Sequence, residues 1–110
     1  MTFISVEDLV AELKGPNPVV LLDVRREQAR NGAGLDMPGA IWRNPAHWLD
    51  WKDGFAQTPR VVVYCVHGHE ISQGLAATLR AMGVDAVSLE GGFAAWQHAG
   101  QPVQPIAAGG

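Results

Sequence analysis

Val6, Leu9, Val10 and Leu13 recur at the three- and four-residue spacing of one helical face, and Gly15-Pro16 ends the pattern. Ser5 followed by Asp8 has capping-box spacing, with Asp in place of Glu or Gln, so a first amphipathic helix is predicted here. The next run, Val19-Val20-Leu21-Leu22, is continuously apolar rather than alternating and closes on Asp23-Val24-Arg25. That is the pattern of a short strand covered on both faces, as parallel sheets require. Residues 60–64 and Ala86-Val87-Ser88-Leu89 read as two more strands. Between them Leu75, Leu79 and Met82 mark a helix that Gly83 ends; residues 93–99 form a last helix, stopped by Gly100 and then Pro102.

The remaining stretches carry weaker patterns. Residues 26–39 are rich in Gly, Asn and polar groups and read as loop with room for a helical turn, before Ala40-Ile41-Trp42 offers a brief strand. Asn44-Pro45 supplies an N-cap and a first helical position for a short segment through about Trp51. Trp42, Trp48 and Trp51 are expected to pack. Residues 105–110 read as a frayed tail, leaving residues 1–104 as one domain. Strands alternating with helices imply an α/β layer structure with largely parallel strands and right-handed crossovers. Ligands in such sheets bind beyond the carboxyl ends of the strands, where both Asp23 and Cys65 fall.

Composition narrows the possibilities further. At 110 residues, 47% hydrophobic and 17% charged, the chain has room for one core, burying roughly 60–70% of its unfolded surface. A net charge of -3 with scattered Lys and Arg argues against nucleic acid or an anionic membrane surface as partner. No apolar run approaches the roughly 20 residues of a membrane span, and the N-terminus lacks a secretory signal. The single cysteine excludes an internal disulfide and suits a reducing compartment, so a cytoplasmic location is expected.

That cysteine, Cys65, stands where the strand ending in Tyr64 gives way to Val66, His67, Gly68, His69, Glu70, Ile71 and Ser72 and then to a helix. A thiol with a pKa of about 8.5 is only a few per cent ionised at neutral pH, so a working nucleophile needs its anion stabilised. Amides of Val66 to Ser72 can curl into a concave nest, with Gly68 supplying a positive φ and the helix its positive end. The same cradle suits an anionic substrate or a second sulfur carried as a persulfide. A buried, inert cysteine at a strand end is the plainer alternative. His67 and His69 read as exposed loop histidines or as aids to an incoming anion; zinc would need a fourth ligand, and no metal or other cofactor is expected. Glu70 is expected to point outward, since inward it would repel an anion. No Ser-His-Asp motif or phosphate-binding Gly-x-x-x-x-Gly-Lys occurs, and Gly32-Ala33-Gly34 lacks the rest of a dinucleotide fingerprint.

These residues carry a resemblance to a known family. Asp23-Val24-Arg25, Met37-Pro38-Gly39-Ala40-Ile41, Tyr64-Cys65-Val66-His67-Gly68, and Leu89-Glu90-Gly91-Gly92-Phe93-Ala94-Ala95-Trp96 with Gly100 and Pro102 resemble, in order, four signals of the single-domain rhodanese sulfurtransferases. The resemblance implies a five-stranded, mainly parallel sheet flanked by helices on both faces. It implies a double displacement in which Cys65 takes a sulfane sulfur, from thiosulfate or a persulfide, and passes it to a thiol, cyanide or protein acceptor. Val66 through Ser72 would line the site, Asp23 and Arg25 would hold the nearby loops by hydrogen bonds and an ion pair, and Trp96 would pack the last helix. Trp42 and Arg43 are further candidates for the pocket wall.

The chain departs from the family pattern in three places. His69-Glu70-Ile71 replaces a loop Arg or Lys, Asp36 stands where many members have His, and the loop is one residue longer than the compact form. That length is similar to the related phosphatases and arsenate reductases, but those need an Arg six positions beyond the cysteine, and position 71 is Ile. A noncatalytic sulfur carrier or binding module is the alternative in a different class.

Overall fold

The computed structural model describes residues 2–106. Its main sheet has five strands, β1 (Phe3–Ile4), β2 (Val20–Asp23), β4 (Ile41–Trp42), β5 (Val61–Tyr64) and β6 (Ala86–Leu89), ordered β1-β6-β5-β2-β4 with every pair parallel. A separate antiparallel pair joins β3 (Leu35–Asp36) to β7 (Gln104–Pro105).

Period-two alternation along the central strands splits the core into two layers. Val61, Val63 and Cys65 point to one face with Leu22 and Val24, where they meet Leu75, Ala76 and Leu79 of α4 (Glu70–Ala81) and Phe55. Trp48 and Trp51 of α3 (Trp48–Trp51), which is continued on both sides by 3-10 turns, pack on the same layer. Val62 and Tyr64 point the other way with Leu21, Val87 and Leu89, toward Leu9 of α1 (Val6–Lys14) and Phe93 and Trp96 of α5 (Gly92–His98). Helices thus cover both faces, as expected. Ser5 caps α1 as its spacing predicts, accepting from the Asp8 amide at 3.1 Å. The indole N–H groups of Trp42, Trp51 and Trp96 donate to the carbonyls of Arg25, Asn44 and Pro102, so these tryptophans are structural.

The structure corrects or adds to the sequence reading at three places. The polar stretch after Arg25 contains α2 (Glu27–Ala33), closed by Gly34 in the left-handed region at φ 69°, and then β3. Its buried side chain is Arg30, so no apolar stripe marks it in the sequence. Second, Phe3–Ile4 forms an edge strand ahead of α1. Third, position 105 is held and not frayed: Leu35 pairs with Pro105, Asp36 with Gln104, and the Ile106 amide donates to Gly34 O at 3.0 Å. The ordered domain therefore runs past residue 104, and the rest of the expected tail, residues 107–110, lies outside the described residues.

Candidate functional site

After β2 the chain crosses toward β4 on one side, and after β5 toward β6 on the other. Adjacent strands whose outgoing connections diverge leave a crevice beyond their carboxyl ends, which is where open α/β sheets bind ligands. Asp23 and Tyr64 are paired in register at that edge, so Arg25 and Arg26 leave β2 beside the point where Cys65 leaves β5. A cavity of about 340 Å³ lies there, lined by Arg25, Arg26 and Ala29 on one side and by Cys65, Val66, His67, His69, Glu70 and Ile71 on the other. Cys65 is only 7% exposed, yet it forms part of this wall and is reachable through it. A wider groove beside α1 and α5, lined by residues such as Glu7 and Glu90, presents no comparable nucleophile.

The loop after Cys65 is shaped by its carbonyls. Cys65 O accepts from the Phe93 amide at 2.8 Å and Val66 O from Ala94 at 2.9 Å, both in the first turn of α5, while Gly68 O accepts from Gln73 Nε2 at 2.8 Å. Across a planar trans peptide the C=O and the next N–H point opposite ways. Tying back these three carbonyls therefore turns the amides of Val66, His67 and His69 away from α5 and Gln73, and these three residues line the cavity. Gly68 has φ 72°, and a Cβ on it would lie 2.7 Å from Leu89 O, so glycine is required both for conformation and for close approach.

Of the eight sequence-predicted site residues, six line the cavity and two do not. Gly68 is buried against the turn after β6, and Ser72 is fully buried behind the cysteine. The hydrogen-bond partner of Sγ corrects the expected arrangement: it is the Ser72 hydroxyl at 3.2 Å rather than a loop amide, and Ser72 Oγ lies 2.9 Å from Ser88 Oγ. Glu70 is exposed and still part of the cavity wall. Trp42 and Arg43 stay outside it: Trp42 donates to Arg25 O, and Arg43 to the carbonyl of Trp42. Residue patterning missed Arg26, Ala29 and Ser88. For Ser88 a signal existed, because a serine within an otherwise apolar buried strand needs a hydrogen-bond partner.

Beneath the cavity Asp23 and Arg25, each 1% exposed, form a buried pair, with Arg25 Nη2 donating to Asp23 Oδ2 at 2.7 Å and Nε to Oδ1 at 3.0 Å. Burial alone would lower the guanidinium pKa, but the hydrogen bond and charge of Asp23 outweigh it and the net shift is upward. Arg25 also donates to Leu35 O and lies 4.3 Å from the centroid of the Phe93 ring. Burial pushes the neighbouring Tyr64 phenol up, and the Asp23 charge adds to it, so Tyr64 stays protonated. Among the described residues no group of His, Cys, Asp and Glu side chains comes together as a metal site, and no helix is long and apolar enough to cross a membrane.

Residues 5–99 match the Rhodanese family, described as a rhodanese-like domain. The chain belongs to that family. It is 36% identical over 86 residues to the thiosulfate sulfurtransferase GlpE of Actinobacillus succinogenes, an alignment covering 77% of this chain and 75% of that one. The rhodanese-like domain protein of Staphylococcus aureus superposes with a TM-score of 0.81 at 27% identity, over 97% of this chain and 100% of that one. A Rhodopseudomonas palustris protein of unknown function, described as a possible tyrosine phosphatase, gives the same TM-score and identity over 94% of this chain and 85% of that one.

Proposed function

We propose that this rhodanese-like protein is a sulfurtransferase that accepts a sulfane sulfur on Cys65 as a persulfide and passes it to a thiophilic acceptor such as cyanide or a thiol. The observation that carries the reading is that Cys65 lines a cavity at the sheet's switch point, at the start of a loop whose carbonyls are tied back to α5 and Gln73 so that the amides following them face away from those partners. Such amides favour an anion, be it the donor's terminal oxygens or the outer persulfide sulfur. The 36%-identical thiosulfate sulfurtransferase supports the same class of donor, a small anion or a persulfide.

The cation absent from the loop has a counterpart across the cavity in Arg26, an exposed side chain at the start of α2. Phosphate chemistry is disfavoured because Ile71, not an arginine, occupies the cavity wall where a bidentate oxyanion ligand is needed. The test is intact mass after incubation with thiosulfate or an organic persulfide. A gain of one sulfur atom, removed by reductant and absent in Cys65→Ala, is expected, together with thiocyanate formation from cyanide. A wild-type protein that forms the adduct but yields no thiocyanate above Cys65→Ser would be a carrier rather than an enzyme.

Glu70 sets a limit on anionic donors. Glu70→Arg reverses a charge on the cavity wall and is expected to lower the KM for thiosulfate about tenfold, the change that roughly 1.4 kcal/mol produces. An unchanged KM would mean that the carboxylate acts only on solvent.

A further inference from the structure

Cys65, Ser72 and Ser88 come from three different elements, the end of β5, the first turn of α4 and the interior of β6, yet their side chains form one buried line. Sγ to Ser72 Oγ is 3.2 Å, Ser72 Oγ to Ser88 Oγ is 2.9 Å, and both serines are 0% exposed. Ser88 sits opposite Val63 in register, which places it on the same side of the sheet as Cys65, facing α4. Ser72 bonds Sγ and Ser88, and the Ser88 hydroxyl has Ser72 as its side-chain partner.

Counting protons gives this line a direction. Three groups make two contacts, and with a neutral thiol there are three protons for them. If the thiol donates into the line, either Ser72 donates to Ser88 or Ser72 accepts from both neighbours, and in each case one serine proton is left in the core with no acceptor in the line, which is costly. If the line runs the other way, Ser88 donates to Ser72 and Ser72 to sulfur; the thiol proton must then turn out toward the cavity. With a thiolate only the second arrangement exists, each proton has an acceptor, and the bond to sulfur is charge-assisted, roughly twice as strong as a neutral one.

We infer that Ser72 is a catalytic hydrogen-bond donor to the Cys65 thiolate and that Ser88 is the positioning residue that fixes its direction. The inference rests on the sulfurtransferase reading for its place in the reaction. The thiolate attacks the sulfane sulfur of the donor, forming the Sγ–S bond, and the electron pair of the donor's S–S bond departs with the remainder, sulfite in the case of thiosulfate. The acceptor then attacks the outer sulfur, the Sγ–S bond breaks, and its electron pair returns to Sγ. Charge appears on the same atom before the first step and at the end of the second, so one hydroxyl serves the nucleophile and the leaving group alike. No proton, oxidant or reductant is consumed when cyanide is the acceptor.

Alkylation of Cys65 by iodoacetamide as a function of pH tests this without any sulfur donor. The charged and titratable groups around the thiol are Arg25 and Arg26 from the β2 side, His67 and His69 of the loop, and Glu70 at the start of α4, and all are retained in every variant. Ser72→Ala is expected to move the midpoint of the reactivity profile upward by about one pH unit, equivalent to about 1.4 kcal/mol. Ser88→Ala should move it less and in the same direction, and adding it to Ser72→Ala should move it no further. The double variant removes both hydroxyls and leaves no orphan in the core, so it serves as the folded reference should Ser72→Ala fail to fold.

A double variant that melts cooperatively and keeps the wild-type midpoint would overturn the inference, as would a Ser88→Ala shift larger than that of Ser72→Ala. Failure of the two readings is distinguishable. A shifted midpoint in a protein that never gains a sulfur atom keeps the Ser72 role and removes sulfur transfer; a sulfur adduct with unshifted midpoints does the reverse.

Discussion

Gly92→Ala is expected to destabilise the domain by about 3–4 kcal/mol and to reduce sulfur transfer about 100-fold in whatever fraction stays folded. A Cβ on Gly92 would lie 2.5 Å from Cys65 O, 2.6 Å from the Gly68 amide nitrogen and 2.7 Å from Val66 O. All three are backbone atoms, so no side-chain rotation relieves the overlap. The residue also sits at φ 62°, where a side chain costs about 1–2 kcal/mol. The only relief is to separate α5 from the loop, which stretches the bonds from the Phe93 and Ala94 amides to Cys65 O and Val66 O, each contributing about 1 kcal/mol. Those bonds turn the Val66 and His67 amides away from α5, so the damage falls on the thiol's surroundings first. Gly32→Ala is the control: nothing lies within 4 Å of its Cβ, it is inside α2, and it is expected to be neutral or stabilising by up to about 1 kcal/mol. Urea melts and thiocyanate assays of the two variants check the pair; equal stability and activity would refute the account of Gly92.

The difference between the glycines also shows what a sequence can disclose. Glu90-Gly91-Gly92 reads as a turn from local chemistry, but the need for a missing Cβ at Gly92 comes from carbonyls more than twenty residues away in the chain. The strands β2, β5 and β6 are legible because burial on both faces leaves a continuous apolar run, and the end of such a run marks the functional edge, with Cys65 on it. Phe3–Ile4, Leu35–Asp36 and Gln104–Pro105 are illegible because two residues carry no period; each is a strand only through a distant partner. Helix α2 escapes for another reason: its buried contact is a guanidinium, Arg30 over the Trp42 ring, so its inner face looks polar. The site divides along the same line. Local order places Cys65 and its loop, whereas Arg26 and Ser88 reach it by sheet topology, the first from the neighbouring strand and the second from β6.

Asp23→Ala is expected to cost about 3–5 kcal/mol, more than Arg25→Met at the same position in the pair, because the two partners differ in how they can shed a charge. A carboxylate left alone in the core can take up a proton, but a guanidinium cannot lose one. Without Asp23 the Arg25 side chain, 1% exposed, keeps the Leu35 carbonyl, the Phe93 and Tyr64 rings and the weaker, unbonded charge of Asp36 around a full positive charge. Asp23 Oδ1 also accepts from the Arg25 amide at 3.0 Å, so its loss frees the backbone where β2 passes into the cavity wall. Arg30, 3.9 Å from Asp23 Oδ2, loses its nearest anion at the same time. Replacing both partners, as Asp23→Leu with Arg25→Met, removes the charges together and is expected to recover at least half of the Asp23→Ala loss, since a buried pair exchanged for apolar side chains is often near neutral. The four proteins are compared directly by their urea midpoints. If Asp23→Ala melted within about 1 kcal/mol of wild type, the pair could not be what anchors Arg25 under the cavity, and the placement of Arg26 beside Cys65 would need another cause.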